Sequence, residues 1–195
     1  MLTENQLLNL LQEIGAIQKR HVVLASGKHS NDFINLGMLF PRATLLSIIC
    51  RSLVLECLGM NDTELVIGPE QGATYLASRV AERLGERCCG REIFALDAKK
   101  DGLGRFSIPE NLEPLVEGKK VLGIDDVLTT GGSLRKVLDL VEGLGGTIVG
   151  ACSIWNRGGV TAETLGVPRL VSLINIRLPS WKAKDCSNPS CRPTA

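Results

Sequence analysis

Residues 121–135 read VLGIDDVLTTGGSLR: an apolar run, two adjacent aspartates, and a Thr/Gly/Ser turn leading into a helical pattern. The run suits a buried strand, and SLRKVLDLVEGLG after the turn carries apolar residues at helical spacing. The turn itself, Thr129, Thr130, Gly131, Gly132 and Ser133, ends on a helix N-terminus. Glycines let backbone N–H groups approach a ligand, and the helix dipole with the hydroxyl donors favours an anion such as phosphate. The lysine and spacing of GxxxxGK[ST] are missing, which excludes a nucleoside-triphosphate loop. Asp125 and Asp126 cannot profitably face that phosphate, but carboxylates accept hydrogen bonds from vicinal hydroxyls. A ribose 5-phosphate satisfies both halves, its phosphate on the glycine turn and its hydroxyls on the aspartates. The plainer reading, a pair that only caps the helix and solvates a strand end, leaves the TTGGS turn unexplained.

Working outward, short apolar strands alternate with helices. The periodicity predicts helices over 2–19, 41–58, 71–84 and 133–144, and strands over 21–25, 33–36, 65–67, 92–96, 119–124, 147–154 and 170–176. Residues 99–107 are polar and glycine-containing and read as a mobile segment. This order predicts an α/β fold, a mainly parallel sheet flanked by helices, as one domain over 1–195. Ligands in such folds bind outside the carboxyl ends of the strands, where the opening stretch lies. The tail after Pro179 reads as an extension on the surface or against a partner.

The formal net charge of +1 gives no support to a nucleic-acid surface, and no apolar run reaches the length of a membrane span. The N-terminus lacks the pattern of a signal peptide, so a cytoplasmic location is expected. Seven cysteines, an odd number, argue against a fully paired disulfide framework. Cys50, Cys57, Cys88, Cys89 and Cys152 are expected to be buried thiols. Cys186 and Cys191 could form half a zinc site, but no other close cysteine pair or histidine group is expected to complete it, and unmodified thiols are expected.

IDDVLTTGGS closely resembles the phosphoribosyl-pyrophosphate (PRPP) loop of type I phosphoribosyltransferases, and the likeness spans roughly residues 10–191. LASGKHSNDFINLGMLF resembles the N-terminal segment of the orotate phosphoribosyltransferases, VIGPEQGATYLASRVAERLG their pyrophosphate-side loop, and SIWNRGG the strand end whose arginine meets the orotate carboxylate. WKAKDCSNPSC is similar to the cysteine-containing ending of one bacterial subgroup, and DAKKDGLGR to the loop that closes over PRPP. The resemblance implies the type I phosphoribosyltransferase fold with a small N-terminal hood. It also implies transfer of 5-phosphoribosyl from PRPP to orotate, giving orotidine 5′-phosphate and pyrophosphate in pyrimidine nucleotide synthesis, by a homodimer using Mg²⁺ with PRPP. Asp125, Asp126, Lys99 and Lys100 are implied as catalytic. PRPP contacts fall on Asp125, Asp126, Val127, Leu128, Thr129, Thr130, Gly131, Gly132, Ser133, Lys100, Arg105 and Gln71. Contacts to the base fall on Lys28, Phe33, Ile34, Thr129 and Arg157, and no side chain is implied as a direct metal ligand.

The chain departs from the pattern in three places. The closing loop has no histidine, Ala25 stands where lysine is frequent before SGK, and GPEQGA lacks the lysine of several members. Two alternatives therefore stand beside orotate transfer: transfer to another base, and a regulator that binds PRPP without turnover. A phospho-acceptor receiver domain also uses adjacent aspartates at a strand end, but expects them at its first strand; here they follow well over half the chain.

Overall fold

The computed structural model describes residues 2–24 and 27–187. Helix α1 (Glu4–Glu13) opens on a capping box, with Thr3 Oγ1 accepting from the Gln6 N–H (3.3 Å) and Gln6 Oε1 accepting from the Thr3 N–H (3.0 Å). It stops well short of residue 19 because Gly15, at φ +74°, turns the chain into a strand. That strand, β1 (Ile17–Val23), pairs antiparallel with β2 (His29–Ile34), and the two form a separate two-stranded hood. The second strand thus ends where the periodicity predicted it to begin. Asn35 Oδ1 accepts from the Gly37 N–H (3.1 Å) and starts a 3-10 turn over Leu36–Leu39 instead.

The remaining elements are α2 (Ala43–Glu56), β3 (Leu65–Pro69), α3 (Gly72–Arg87), β4 (Phe94–Lys100), β5 (Phe106–Ser107), β6 (Lys120–Leu128), α4 (Gly132–Gly143), β7 (Thr147–Asn156), α5 (Ala162–Leu165) and β8 (Leu170–Ile174). They build a six-stranded sheet in the order β5-β4-β3-β6-β7-β8, parallel throughout except for β5 at one edge. Residues 99–107, predicted mobile, instead form a hairpin. Asp101 Oδ1 accepts from the Leu103 and Arg105 N–H groups (2.9 and 2.8 Å), so one carboxylate organises the turn between β4 and β5.

Both sheet faces are covered, which is why LVIGP of β3 is buried at every position. On one face Ile49 and Leu53 of α2 and Leu76, Val80 and Leu84 of α3 pack with Val66, Leu122 and Ile124. On the other, Leu134, Val137, Leu138 and Val141 of α4 pack with Leu65, Ile67 and Val121. Cys50, Cys57 and Cys152 are buried in the first core, and burial pushes the Cys50 thiol up to about 12. Cys88 is only half-buried and Cys89 is exposed, because the chain reverses there after α3 with Cys89 at φ +59°. The tail lies along the hood: the Trp181 and His29 backbones exchange hydrogen bonds (2.8 and 3.0 Å), and Ser30 Oγ donates to the Pro179 carbonyl (2.8 Å).

Connections leave β3 toward β4 on one side, while β6 and β7 lie on the other. The strand order therefore reverses between β3 and β6, and a crevice opens outside their carboxyl ends.

Candidate active site

Two helix N-termini meet at this crevice. α3 begins directly after β3 and α4 after β6, and neither N-cap residue supplies a side-chain bond; Thr130 Oγ1 accepts from the Gly132 N–H (3.3 Å), and further N–H groups of each first turn remain for a ligand. Gly131 supplies the bend into α4 at φ +75°. Gly72 permits the approach of the other helix: a Cβ there would lie 2.7 Å from the Asp126 carboxylate carbon. The Asp126 charge thus rests beside the positive end of α3. Gly158 holds the loop from below, since its N–H donates to the Leu128 carbonyl (3.0 Å) and a Cβ would collide with the Thr129 carbonyl.

The crevice is a cavity of about 590 Å³ lined by Leu24, Ile34, Pro69, Glu70, Gly72, Lys100, Phe106, Asp125, Asp126, Val127, Thr129, Thr130, Gly131, Gly132, Ser133, Lys136 and Arg157. Asp125 is buried, and burial together with the neighbouring Asp126 charge holds its carboxyl well above the usual range. Burial raises Asp126 as well. Each carboxylate accepts from the next backbone N–H, Asp125 Oδ1 from Asp126 (2.9 Å) and Asp126 Oδ1 from Val127 (2.7 Å). Arg157 is buried at the end of β7 and donates to Ser30 Oγ (3.1 Å) and the Asp32 carbonyl (3.4 Å) of the hood. Burial pulls its guanidinium pKa down, with the Asp32 charge opposing.

Of the residues expected at the site, Asp125, Asp126, Val127, Thr129 to Ser133, Lys100, Ile34 and Arg157 line this one cavity. Six do not. Leu128 is fully buried in the core beside α4. Strand alternation turns Phe33 away from the Ile34 side, and it stacks instead under the Arg20 guanidinium, 3.8 Å from its ring centroid. The same alternation sends Lys100 to the cavity with buried Leu96 and Ala98, and leaves Lys99 on the opposite face. Arg105 Nε donates to Asp101 Oδ2 (2.7 Å), within the hairpin. Lys28 and Gln71 are exposed and do not line the cavity.

Sequence reading passed over Lys136, Glu70, Phe106 and Leu24 as lining residues. Lys136 was discoverable: three and four positions beyond Ser133 and Gly132, it shares their helical face. Its Nζ donates to the Gly104 carbonyl (3.2 Å), joining α4 to the β4–β5 turn. Glu70, Phe106 and Leu24 have no such signal, because each reaches the cavity through tertiary packing. Away from the crevice, the two histidines of the chain converge on Cys186, contrary to the expectation that no histidine stands by the tail; Cys191 lies outside the described residues.

Residues 43–182 match the phosphoribosyl transferase domain model. The chain belongs to the phosphoribosyltransferase family. Among phosphoribosyltransferases it is similar to the orotate phosphoribosyltransferase of Pelotomaculum thermopropionicum, 31% identical over 191 residues that cover 98% of this chain and 93% of the relative. The crystal structure of orotate phosphoribosyltransferase from Aeropyrum pernix superposes with a TM-score of 0.67 at 26% identity, covering 86% of this chain and 92% of that one. The Mycobacterium tuberculosis orotate phosphoribosyltransferase solved in complex with PRPP matches at TM-score 0.56 and 25% identity, over 72% of this chain and 79% of that one. The α/β architecture and the orotate phosphoribosyltransferase likeness expected from the motifs are both borne out.

Proposed function

We propose that this chain transfers 5-phosphoribosyl from PRPP to orotate, releasing orotidine 5′-phosphate and pyrophosphate. The observation that carries the reading is the single cavity uniting the IDDVLTTGGS loop with Arg157 and the hood. The 5′-phosphate sits on the N-terminus of α4, where Thr129 to Ser133 offer N–H and hydroxyl donors and Lys136 adds a cation. Asp125 and Asp126 accept from the ribose hydroxyls. Pyrophosphate lies toward the start of α3 and Lys100. The C1–O bond breaks with its electron pair leaving on pyrophosphate, while charge develops on the ribose ring beside the two carboxylates. The deprotonated orotate nitrogen then bonds to C1, oriented by Arg157, whose planar fork suits a carboxylate.

Asp125, Asp126, Glu70 and the Thr129 hydroxyl present hard oxygen donors to the cavity, a set that fits Mg²⁺ carried in with PRPP. Bound there, Mg²⁺ supplies charge neutralisation for the leaving pyrophosphate. On this reading the chain works in the cytoplasm as one domain over 1–195. No helix among the described residues is long and apolar enough to cross a membrane.

A panel of bases with PRPP and Mg²⁺ tests the reading: orotate is expected to be consumed with stoichiometric pyrophosphate release, well above uracil or adenine. Consumption of another base in preference, or PRPP binding without release, would replace it with one of the two alternatives. Lys136→Ala is expected to weaken PRPP by about 10-fold in calorimetry, the value of one charge-assisted contact, with a smaller salt dependence.

A homodimer is supported by α2. Ile48 and Leu55, seven residues apart on one helical face, are 46% and 37% exposed, and exposed Tyr75 stands nearby on α3 against Phe40 (centroids 5.3 Å). Ile48→Asp with Leu55→Asp is expected to halve the mass seen by sedimentation equilibrium; an unchanged mass places the contact elsewhere.

A further inference from the structure

The chain has two histidines, eight residues apart, and the fold brings both to one tail cysteine. His21 lies in a β-bulge: Lys19 pairs with Asp32 and Val22 with Ser30, so two residues of β1 oppose one of β2. A bulge re-aims side chains, and this one sets the His21 ring against that of His29, centroids 5.1 Å apart. His29 is buried at the start of β2, where its backbone pairs with Trp181. The 3-10 turn Ala183–Asp185 then delivers Cys186 to the same point. His21 Nε2 is 3.1 Å from His29 Nδ1 and 3.3 Å from Cys186 Sγ, and one ligand atom of each residue lies within 4.8 Å of the others.

We propose that His21, His29 and Cys186 bind a zinc ion that fastens the C-terminal tail to the hood. Two imidazole nitrogens and a thiolate are the donor set of a tetrahedral zinc site, and they are unlike the hard oxygens of the crevice. With ordinary Zn–N and Zn–S bonds, tetrahedral neighbours stand about 3.3–3.6 Å apart, within a few tenths of an ångström of the two spacings measured from His21 Nε2. His21 Nε2 faces both other atoms, yet a ring nitrogen carries one proton or one lone pair. A cation takes all three lone pairs at once. The ion also has work to do in the fold. The hood is only two strands, and it carries Ser30 and Asp32, which meet Arg157. Two-stranded sheets are marginal alone, and a metal clip is one way to hold one.

The full chain, expressed with zinc and dialysed against metal-free buffer, is expected to retain about one zinc per chain by elemental analysis. Cobalt(II), added to chelator-stripped protein, should give the intense visible bands of a tetrahedral site and a near-ultraviolet sulfur-to-cobalt band. His21→Gln and His29→Gln should each lower cobalt affinity by at least about 10-fold, and Cys186→Ser should remove about half or more of the sulfur band. Asp125→Asn should leave all of these signals unchanged. Should a variant misfold, iodoacetamide labelling of the wild-type chain reads the same contact, with zinc slowing modification of Cys186 by about 10-fold or more. No retained zinc with only weak octahedral cobalt bands, or equal labelling of Cys186 with and without zinc, overturns the proposal. The orotate assay reports independently of either outcome.

Discussion

Replacing both Asp125 and Asp126 by asparagine is expected to lower phosphoribosyl transfer by about 10³-fold or more, because two charge-assisted acceptors are lost at the ribose. The same double variant should be more stable than the wild type in the absence of ligand. Both carboxyl groups are held above the usual range, chiefly by burial, so the folded chain binds their protons more tightly than the unfolded chain does. For such groups stability falls as pH rises from the ordinary carboxylate range, near about 4, toward the raised folded value. The variant's advantage in thermal midpoint is therefore present at neutral pH and shrinks to nothing below about pH 4. PRPP with Mg²⁺ should raise the wild-type midpoint and leave the variant's in place. A variant less stable than the wild type at pH 7 would show that the pair serves the fold instead of the ligand.

Arg157→Ala carries the second large effect. It is expected to lower kcat/KM for orotate by about 10²-fold, the cost of a lost bidentate carboxylate contact, while the KM for PRPP moves by less than about 3-fold. Lysine should not rescue it, because an ammonium cannot reproduce the fork. Arg157 also holds the hood through Ser30 Oγ, so Ser30→Ala is the control. If Ser30→Ala costs as much as Arg157→Ala, the arginine acts by positioning the hood. Equal losses for orotate and PRPP would assign it to the fold as a whole.

The parallel sheet and the phosphate turn were legible because they are written locally. β3 and the first half of β6, residues 121–124, are unbroken apolar runs, and TTGGS sits between a strand and a helix that periodicity alone identifies. Sequence stops distinguishing neighbours where the deciding contact is remote. Phe33 and Ile34 differ by one position, and which of them meets the cavity depends on the register of β2 against β1. Lys99 and Lys100 present the same ambiguity, resolved only by the face of β4 that packs on the core. The hairpin at 101–105 was hidden because glycine and charge signal a loop, whereas its order comes from one carboxylate, Asp101, and its own backbone. The histidine–cysteine cluster was out of reach for the plainest reason: Cys186 lies 165 residues from His21.

The knitting of residues 177–186 onto the hood has a consequence for how the protein matures. The donor half of the cavity, strand β6 with its glycine turn, α4 and the Gly158 that holds the turn, is complete once residue 158 has been made. The acceptor half rests on Arg157, on a hood strand threaded early, and on Pro179 and Trp181, which are synthesised later than either. Donor recognition should thus precede acceptor recognition during synthesis, visible in a timed translation as PRPP binding that appears before transfer activity. A nascent chain in this order captures the reactive sugar first and acquires the means to spend it only once Trp181 has been made.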